Sequence, residues 1–141
     1  MMKKSGLNQT TLFPVSVKGV VFKDGKVILL KNERDEWELP GGKLEFDETP
    51  EVCLEREISE ELALTVSVQE LLDVWQYEIF RDVTVLIVTY LCSPTQTFAF
   101  RISDEHKQGA WFDLVEIEQL KMPEGYKRSI LAAAKLVNDN C

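Results

Sequence analysis

Residues Gly42–Leu64 read GKLEFDETPEVCLEREISEELAL. Eight of these residues are acidic (Glu45, Asp47, Glu48, Glu51, Glu55, Glu57, Glu60, Glu61) and two are basic (Lys43, Arg56). Two bases less eight acids gives −6, out of a net −8 for all 141 residues. The stretch carries strong helix signals. Thr49 is a good N-cap, Pro50 suits the first helical position, and Glu51 sits where the positive end of the helix dipole favours an acid. Leu54, Ile58 and Leu62 then recur every four residues, as one buried face requires.

At about 100° per residue, Glu57, Glu60 and Glu61 fall within an arc of roughly 100°, with Cys53 one turn below Glu57. They line the edge of the apolar stripe. Glu57 and Glu61, four apart, repel each other, more strongly once partly desolvated. Arg56 reaches Glu60 at the same spacing but lies off the shared face, so it compensates only in part. A hard divalent cation suits the cluster better, since Mg²⁺ or Mn²⁺ takes carboxylate and carbonyl oxygens. A solvated acidic face is the alternative reading that charge alone leaves open.

Outward from the helix, Val15–Phe22 and Val27–Leu30 are expected to be strands joined at Lys23-Asp24-Gly25-Lys26, because Asp-Gly favours a tight hairpin turn. Trp37–Leu39 reads as a short extended piece, stopped by a Pro40-Gly41-Gly42 loop. Val66–Leu72, Val74–Phe80 and Val83–Cys92 are rich in β-branched and aromatic residues and read as strands, with shorter ones at Phe98–Ile102 and Ala110–Phe112. Asp113 caps a brief helix over Leu114–Leu120, and Tyr126–Asn138 forms a terminal helix. The expected architecture is an α/β or α+β sandwich, a mixed sheet flanked by helices. A loose arm over residues 1–13 precedes a single domain over 14–141.

The chain has the composition of an ordinary globular protein, 45% hydrophobic and 28% charged. Its acidic balance argues against a nucleic-acid polymer or an anionic membrane as partner. Outside residues 42–64 there are 16 acids and 14 bases, so the excess charge is local. Cys53, Cys92 and Cys141 form no C-x-x-C pair, and with one His there is no zinc set; free thiols in a cytoplasmic protein are expected. No apolar run follows the N-terminal Met-Met-Lys-Lys, and none is long enough to span a bilayer.

The segment resembles the signature of the Nudix hydrolase family, G-x5-E-x7-R-E-U-x-E-E-x-G-U with U a bulky aliphatic residue. Gly42, Glu48, Arg56-Glu57-Ile58, Glu60-Glu61 and Leu64 match eight of its nine fixed positions. Ala63 stands where the family usually has Gly; a left-handed helix end there would cost Ala roughly 1 kcal/mol. The resemblance implies an α/β/α sandwich with a mixed, partly antiparallel sheet. It also implies cleavage of a diphosphate linkage in a nucleoside triphosphate or another nucleoside diphosphate derivative. By motif position Glu57, Glu60 and Glu61 would hold Mg²⁺ or Mn²⁺ with the Gly41 carbonyl, Arg56 would orient a glutamate, and Glu48 would brace the corner between loop and helix.

Glu105, in Ser103-Asp104-Glu105-His106, resembles a further metal-binding glutamate of triphosphate-cleaving relatives, and Glu57 and Glu105 are both candidates for the general base. His106 reads as a loop residue. Phe22, Leu39, Trp75, Tyr77 and Tyr126 are candidates for contact with the substrate's base. The proline and tyrosine that mark ADP-ribose and dinucleoside-polyphosphate sub-classes are absent near Phe80–Asp82, which leans toward a nucleoside triphosphate or a modified nucleotide. A nucleotide sensor on the same fold is the rival reading, and a homodimer is compatible with both.

Overall fold

The computed structural model describes residues 10–95 and 108–139. Seven strands form one mixed sheet: β1 (Val15–Lys23), β2 (Lys26–Lys31), β3 (Trp37–Glu38), β4 (Gly41–Lys43), β5 (Val66–Phe80), β6 (Val83–Pro94) and β7 (Gln108–Asp113). The helices are α1 (Pro50–Leu62), α2 (Leu114–Ile117) and α3 (Glu124–Asp139). The strand order is β3-β2-β1-β6-β5, with β4 also on β1 and β7 also on β2. β1 runs parallel to β6, from Val15↔Leu86 to Val21↔Cys92, and antiparallel to β2 and β4. The β1–β2 hairpin turns at Asp24 (φ 54°) and Gly25 (φ 79°), the paired left-handed conformation that matches strand twist.

Alternation along β1 divides the core in two. Val17 and Val21 pack with Leu54, Ile58 and Leu62 of α1 on one face. Val20 packs with Leu39, Leu91, Tyr126 and Ile130 on the other, beneath α3. The result is the expected sandwich of helix, sheet and helix. Between β6 and α3 the buried hydroxyls of Thr89 and Ser129 bond to each other at 2.7 Å, so neither is left unsatisfied in the core.

Beside β1 its two antiparallel partners diverge and leave a wedge. The first half of β1 pairs with β4 at Ser16–Lys18, but the strand meets β2 only at Phe22–Lys23. Chain from β3 and β4 fills the gap, anchored where the Gly19 amide donates to the Pro40 carbonyl at 2.9 Å.

Several elements differ from expectation. Gly41–Lys43 is a strand, not loop, because Gly41 at φ 141° can lie directly against β1; a Cβ there would sit 2.0 Å from the Val17 carbonyl oxygen. The two strands expected over 66–80 are a single one, with irregular register between Val68 and Leu71, Leu71 and Asp73, and Glu78 and Phe80. α2 stops at Ile117, where Gln119 and Leu120 close tighter turns onto Glu116 and Ile117. α3 begins at Glu124, two residues early, since Pro123 can precede a helix without losing a donor. The strand expected at Phe98–Ile102, residues 1–9 of the arm and Cys141 lie outside the described residues. Among the described residues no helix is long and apolar enough to cross a membrane.

Candidate active site

Helix α1 is fastened at both ends. The Thr49 hydroxyl accepts from the Val52 amide at 3.2 Å, and Ala63 closes the helix in the left-handed region (φ 55°, ψ 32°), its amide bonded to the Ser59 carbonyl at 2.9 Å. Fixed ends set the rotation of the helix, which brings its acidic edge against β4. The contact there is close. Gly42 carries no side chain where the Glu57 carboxylate passes; a Cβ on it would lie 2.3–2.6 Å from that group. Beside it, the buried Glu61 carboxylate accepts from the Gly41 amide at 2.9 Å.

Arg56 gathers the other carboxylates. Its Nε and Nη2 grip both oxygens of Glu48, at 3.1 and 2.8 Å, a two-point fit suited to the guanidinium fork. Its Nη1 reaches Glu57 at 3.1 Å and Glu60 at 3.3 Å. Glu48 also accepts from the Glu45 amide at 3.0 Å, closing the turn that leads into α1. The Arg56 fork, with the Glu45 amide, holds the Glu48 carboxyl down at about 2. Glu57 is pushed the other way: burial raises its pKa, Arg56 opposes this, and neighbouring Glu60 adds to it. Glu60 is the exposed member of the set.

Among the described residues, no three Asp, Glu, His or Cys side chains converge tightly enough to grip a metal ion as they stand. The hydrogen bonds explain this, since Glu57 and Glu60 turn to Arg56 and Glu61 to the Gly41 amide. Glu105 and His106 lie outside the described residues.

On the α3 side of the wedge, three candidate base-contacting residues form one aromatic cluster. Trp75 lies 5.5 Å from Tyr77 and 5.4 Å from Tyr126, centroid to centroid, and Tyr77 lies 6.5 Å from Tyr126. Trp75 and Tyr77 are partly exposed, whereas Tyr126 and Leu39 are buried beneath them. Phe22 packs on the edge of the same core. Arg128 stacks over the Trp75 ring at 5.7 Å. The Trp75 indole nitrogen is buried with no hydrogen-bond partner.

Two buried polar residues have no counterpart among the residues singled out from the sequence. Asn32 is buried and organises the β2–β3 turn: its Oδ1 accepts from the Arg34 and Glu36 amides at 2.9 and 3.1 Å, and its Nδ2 donates to Glu38 at 3.1 Å. Lys18 is also buried, although lysine is rarely so. Its one trace in the sequence is a lone charge inside the apolar strand VSVKGVVF.

The model described as the NUDIX domain matches residues 12–133. The chain belongs to the Nudix family. It is 36% identical over 124 residues to a MutT-like protein of Streptomyces ambofaciens, covering 86% of this chain and 77% of that one. It is 30% identical over 129 residues to an ADP-ribose pyrophosphatase of Methanocaldococcus jannaschii, covering 85% and 75%. A MutT Nudix hydrolase from Burkholderia pseudomallei has a similar structure, with TM-score 0.75 and 25% identity over 86% of this chain and 98% of that one. The protein is accordingly an enzyme of the Nudix pyrophosphohydrolase type.

Proposed function

We propose that this Nudix enzyme hydrolyses the diphosphate bond of a nucleoside triphosphate or other nucleoside diphosphate derivative, using Mg²⁺ or Mn²⁺. The products would be a nucleoside monophosphate and pyrophosphate, or a second phosphorylated product. The observation that carries this reading is the carboxylate edge of α1, with Glu57 packed on Gly42 and Glu61 held by the Gly41 amide; the Trp75–Tyr77–Tyr126 cluster on the α3 face supports it. The first offers oxygen ligands and the second a surface for a base.

The donor chemistry fits a hard dication. Glu48, Glu57 and Glu60 all lean on the single Arg56 guanidinium, so the carboxylates outnumber the cation that holds them. Glu57, Glu60 and Glu61 with the Gly41 carbonyl would hold the ion, Glu60 first leaving Arg56. When bound, the metal neutralises phosphate oxygens and activates water. The chain's own part is positional. Arg56, braced on Glu48, orients Glu57, and the Gly41 amide fixes Glu61. Glu57 can accept the proton of an attacking water in its ionised form; Glu105 is the other candidate for that role. Trp75 and Tyr77 would hold the base, with Leu39 and Tyr126 supporting them from below.

Chromatographic separation of the products tests this over canonical and oxidised nucleoside triphosphates, ADP-ribose and nucleotide sugars, with Mg²⁺, Mn²⁺ or EDTA. Turnover that requires the metal, and falls by orders of magnitude in Glu57→Gln or Glu61→Gln, is expected. Metal-independent turnover would overturn the mechanism. Binding without turnover of any compound would mean a nucleotide sensor.

A further inference from the structure

At the end of the sheet where β1 and β6 begin and β4 and β5 finish, large apolar side chains stand in solvent. The Pro14 carbonyl accepts from the Leu86 amide and the Val15 carbonyl from the Leu44 amide, both at 2.9 Å. Phe13 and Pro14 therefore continue the line of β1 as a ridge between β4 and β6. Phe80 and Val83 pair with each other across the β5–β6 turn at the same end. Of the nine large apolar residues exposed among the described residues, Leu12, Phe46, Phe80 and Val83 gather here, Phe46 at 95%. Single exposed apolar residues are ordinary, but a gathered group marks a contact surface. A recess flanks the ridge on either side. One, of about 300 Å³, is lined by Lys43, Leu44, Glu45 and Phe46. The other, of about 330 Å³, is lined by Leu12, Asp82, Val83 and Thr84, and Phe13 and Pro14 line both.

The charges around this face suit a second copy of the same face. The β4 half carries Lys43, Glu45 and Asp47, and the β5–β6 half carries Arg81 and Asp82. All five are exposed, and among the described residues none has an ion-pair partner within 4.0 Å. A strongly basic or strongly acidic partner would match only one of the two signs. A two-fold axis instead lays each half against the opposite half of the second copy, so that every contact is made twice. With the axis through the Phe13–Pro14 ridge, Phe46 of one copy enters the recess beside Val83 of the other. Lys43 then meets Asp82, and Arg81 meets Glu45 or Asp47. We propose that this end of the sheet is the interface of a homodimer, closed by Phe46 of each copy seated in the Leu12–Val83 recess of the other and by the Lys43–Asp82 pairs. Phe46 and Phe80 can each bury roughly 150–250 Å². With Leu12, Val83 and the charged rim, the pairing would cover on the order of 1,000 Å² in all, the size of a weak specific interface. A micromolar dissociation constant is therefore expected.

Sedimentation velocity of the full chain, from micromolar to millimolar concentration, tests this. The wild type should pass from monomer to dimer across that range. Phe46→Ser removes the inserted ring, and Lys43→Glu sets like charges against each other; each should raise the dissociation constant about tenfold or more. Both side chains are exposed, so both variants should melt close to the wild type. Val115→Ser is the control: its side chain on α2 is also exposed but lies outside this face, so the dimer should be unchanged. A wild type that stays monomeric at millimolar concentration overturns the proposal. So does a dimer undiminished by either Phe46→Ser or Lys43→Glu, and so does one that Val115→Ser weakens as much as Phe46→Ser.

Discussion

Gly42→Ala separates the site from the fold more cleanly than removal of a carboxylate. Gly42 is not among the glycines with positive φ, so alanine meets no backbone strain there. What it meets is Glu57, whose carboxyl carbon would lie 2.3 Å from the new methyl. Carbon–carbon contact becomes favourable only near ~3.5 Å, so the carboxylate must retreat by about 1 Å. It can do so, since it is the far end of a flexible side chain, but it then leaves the place where Arg56 holds it at 3.1 Å. Coordination of Mg²⁺ tolerates errors of only about 0.2 Å, and misplacement by 1 Å can cost ~100-fold in rate. The expected result is a thermal midpoint within a few degrees of the wild type and turnover lowered about 100-fold, partly regained at high Mg²⁺.

The control is Gly41→Ala. There the new methyl would lie 2.0 Å from a backbone oxygen and φ is 141°, so the fold itself should weaken. Circular-dichroism melts and Mg²⁺-dependence of turnover read both variants. Wild-type turnover by a folded Gly42→Ala at every Mg²⁺ concentration would refute the packing of Glu57 on Gly42 as a requirement of catalysis.

Three further outcomes are expected. Ala63→Gly relieves a left-handed alanine and should raise stability by about 0.5–1 kcal/mol, or about 2–3 °C in the melting midpoint; no change would mean that the αL conformation carries no strain. Glu48 has a depressed pKa in the folded state, so its contribution is present above the ordinary value of 4.5 and disappears as pH falls toward about 2. Acid titration of wild type and Glu48→Gln should therefore diverge above that window and converge within it; parallel curves would contradict the Arg56 pairing. Cys53 and Cys92 are buried with thiols pushed up to about 12, so in the folded protein neither should alkylate at pH 8 at a rate near that of a free thiol. Peptide mapping before and after unfolding reads this, and fast labelling of either thiol in the native state would contradict its burial.

Much of α1 was legible because its signals are local. Capping, proline placement and apolar spacing all act within one helix, and even the left-handed Ala63 could be anticipated from the motif. β4 was not legible, since Pro-Gly-Gly has no strand propensity and its pairing is decided by how closely glycine approaches Val17 on a distant strand. The Glu57–Gly42 and Glu61–Gly41 contacts are tertiary for the same reason. Helical spacing put the glutamates on one edge, but only the packed sheet shows what that edge faces. Lys18 was passed over because a single polar residue in an apolar run has no periodicity to register, and Asn32 because nothing singles it out within the polar stretch Lys31-Asn32-Glu33-Arg34. The surroundings of Lys18 come from strands remote in the chain, whereas Asn32 is explained by the turn it closes.

The irregular register of β5 decides which face of the sheet its aromatic rings occupy. From Val68 to Asp73 the strand advances five residues while its partner, from Cys92 to Thr89, advances three. Two extra residues are therefore absorbed in that interval. One insertion reverses which side chains point up and which point down, and a second restores the original order. Val68 consequently faces α1 while Trp75 and Tyr77, seven and nine positions on, face α3 as an unbroken strand would have them. Loss of one residue between Val68 and Asp73 would turn both aromatic rings to the opposite face of the sheet, away from Tyr126. Loss of two would leave them where they are, so the larger deletion should be the milder.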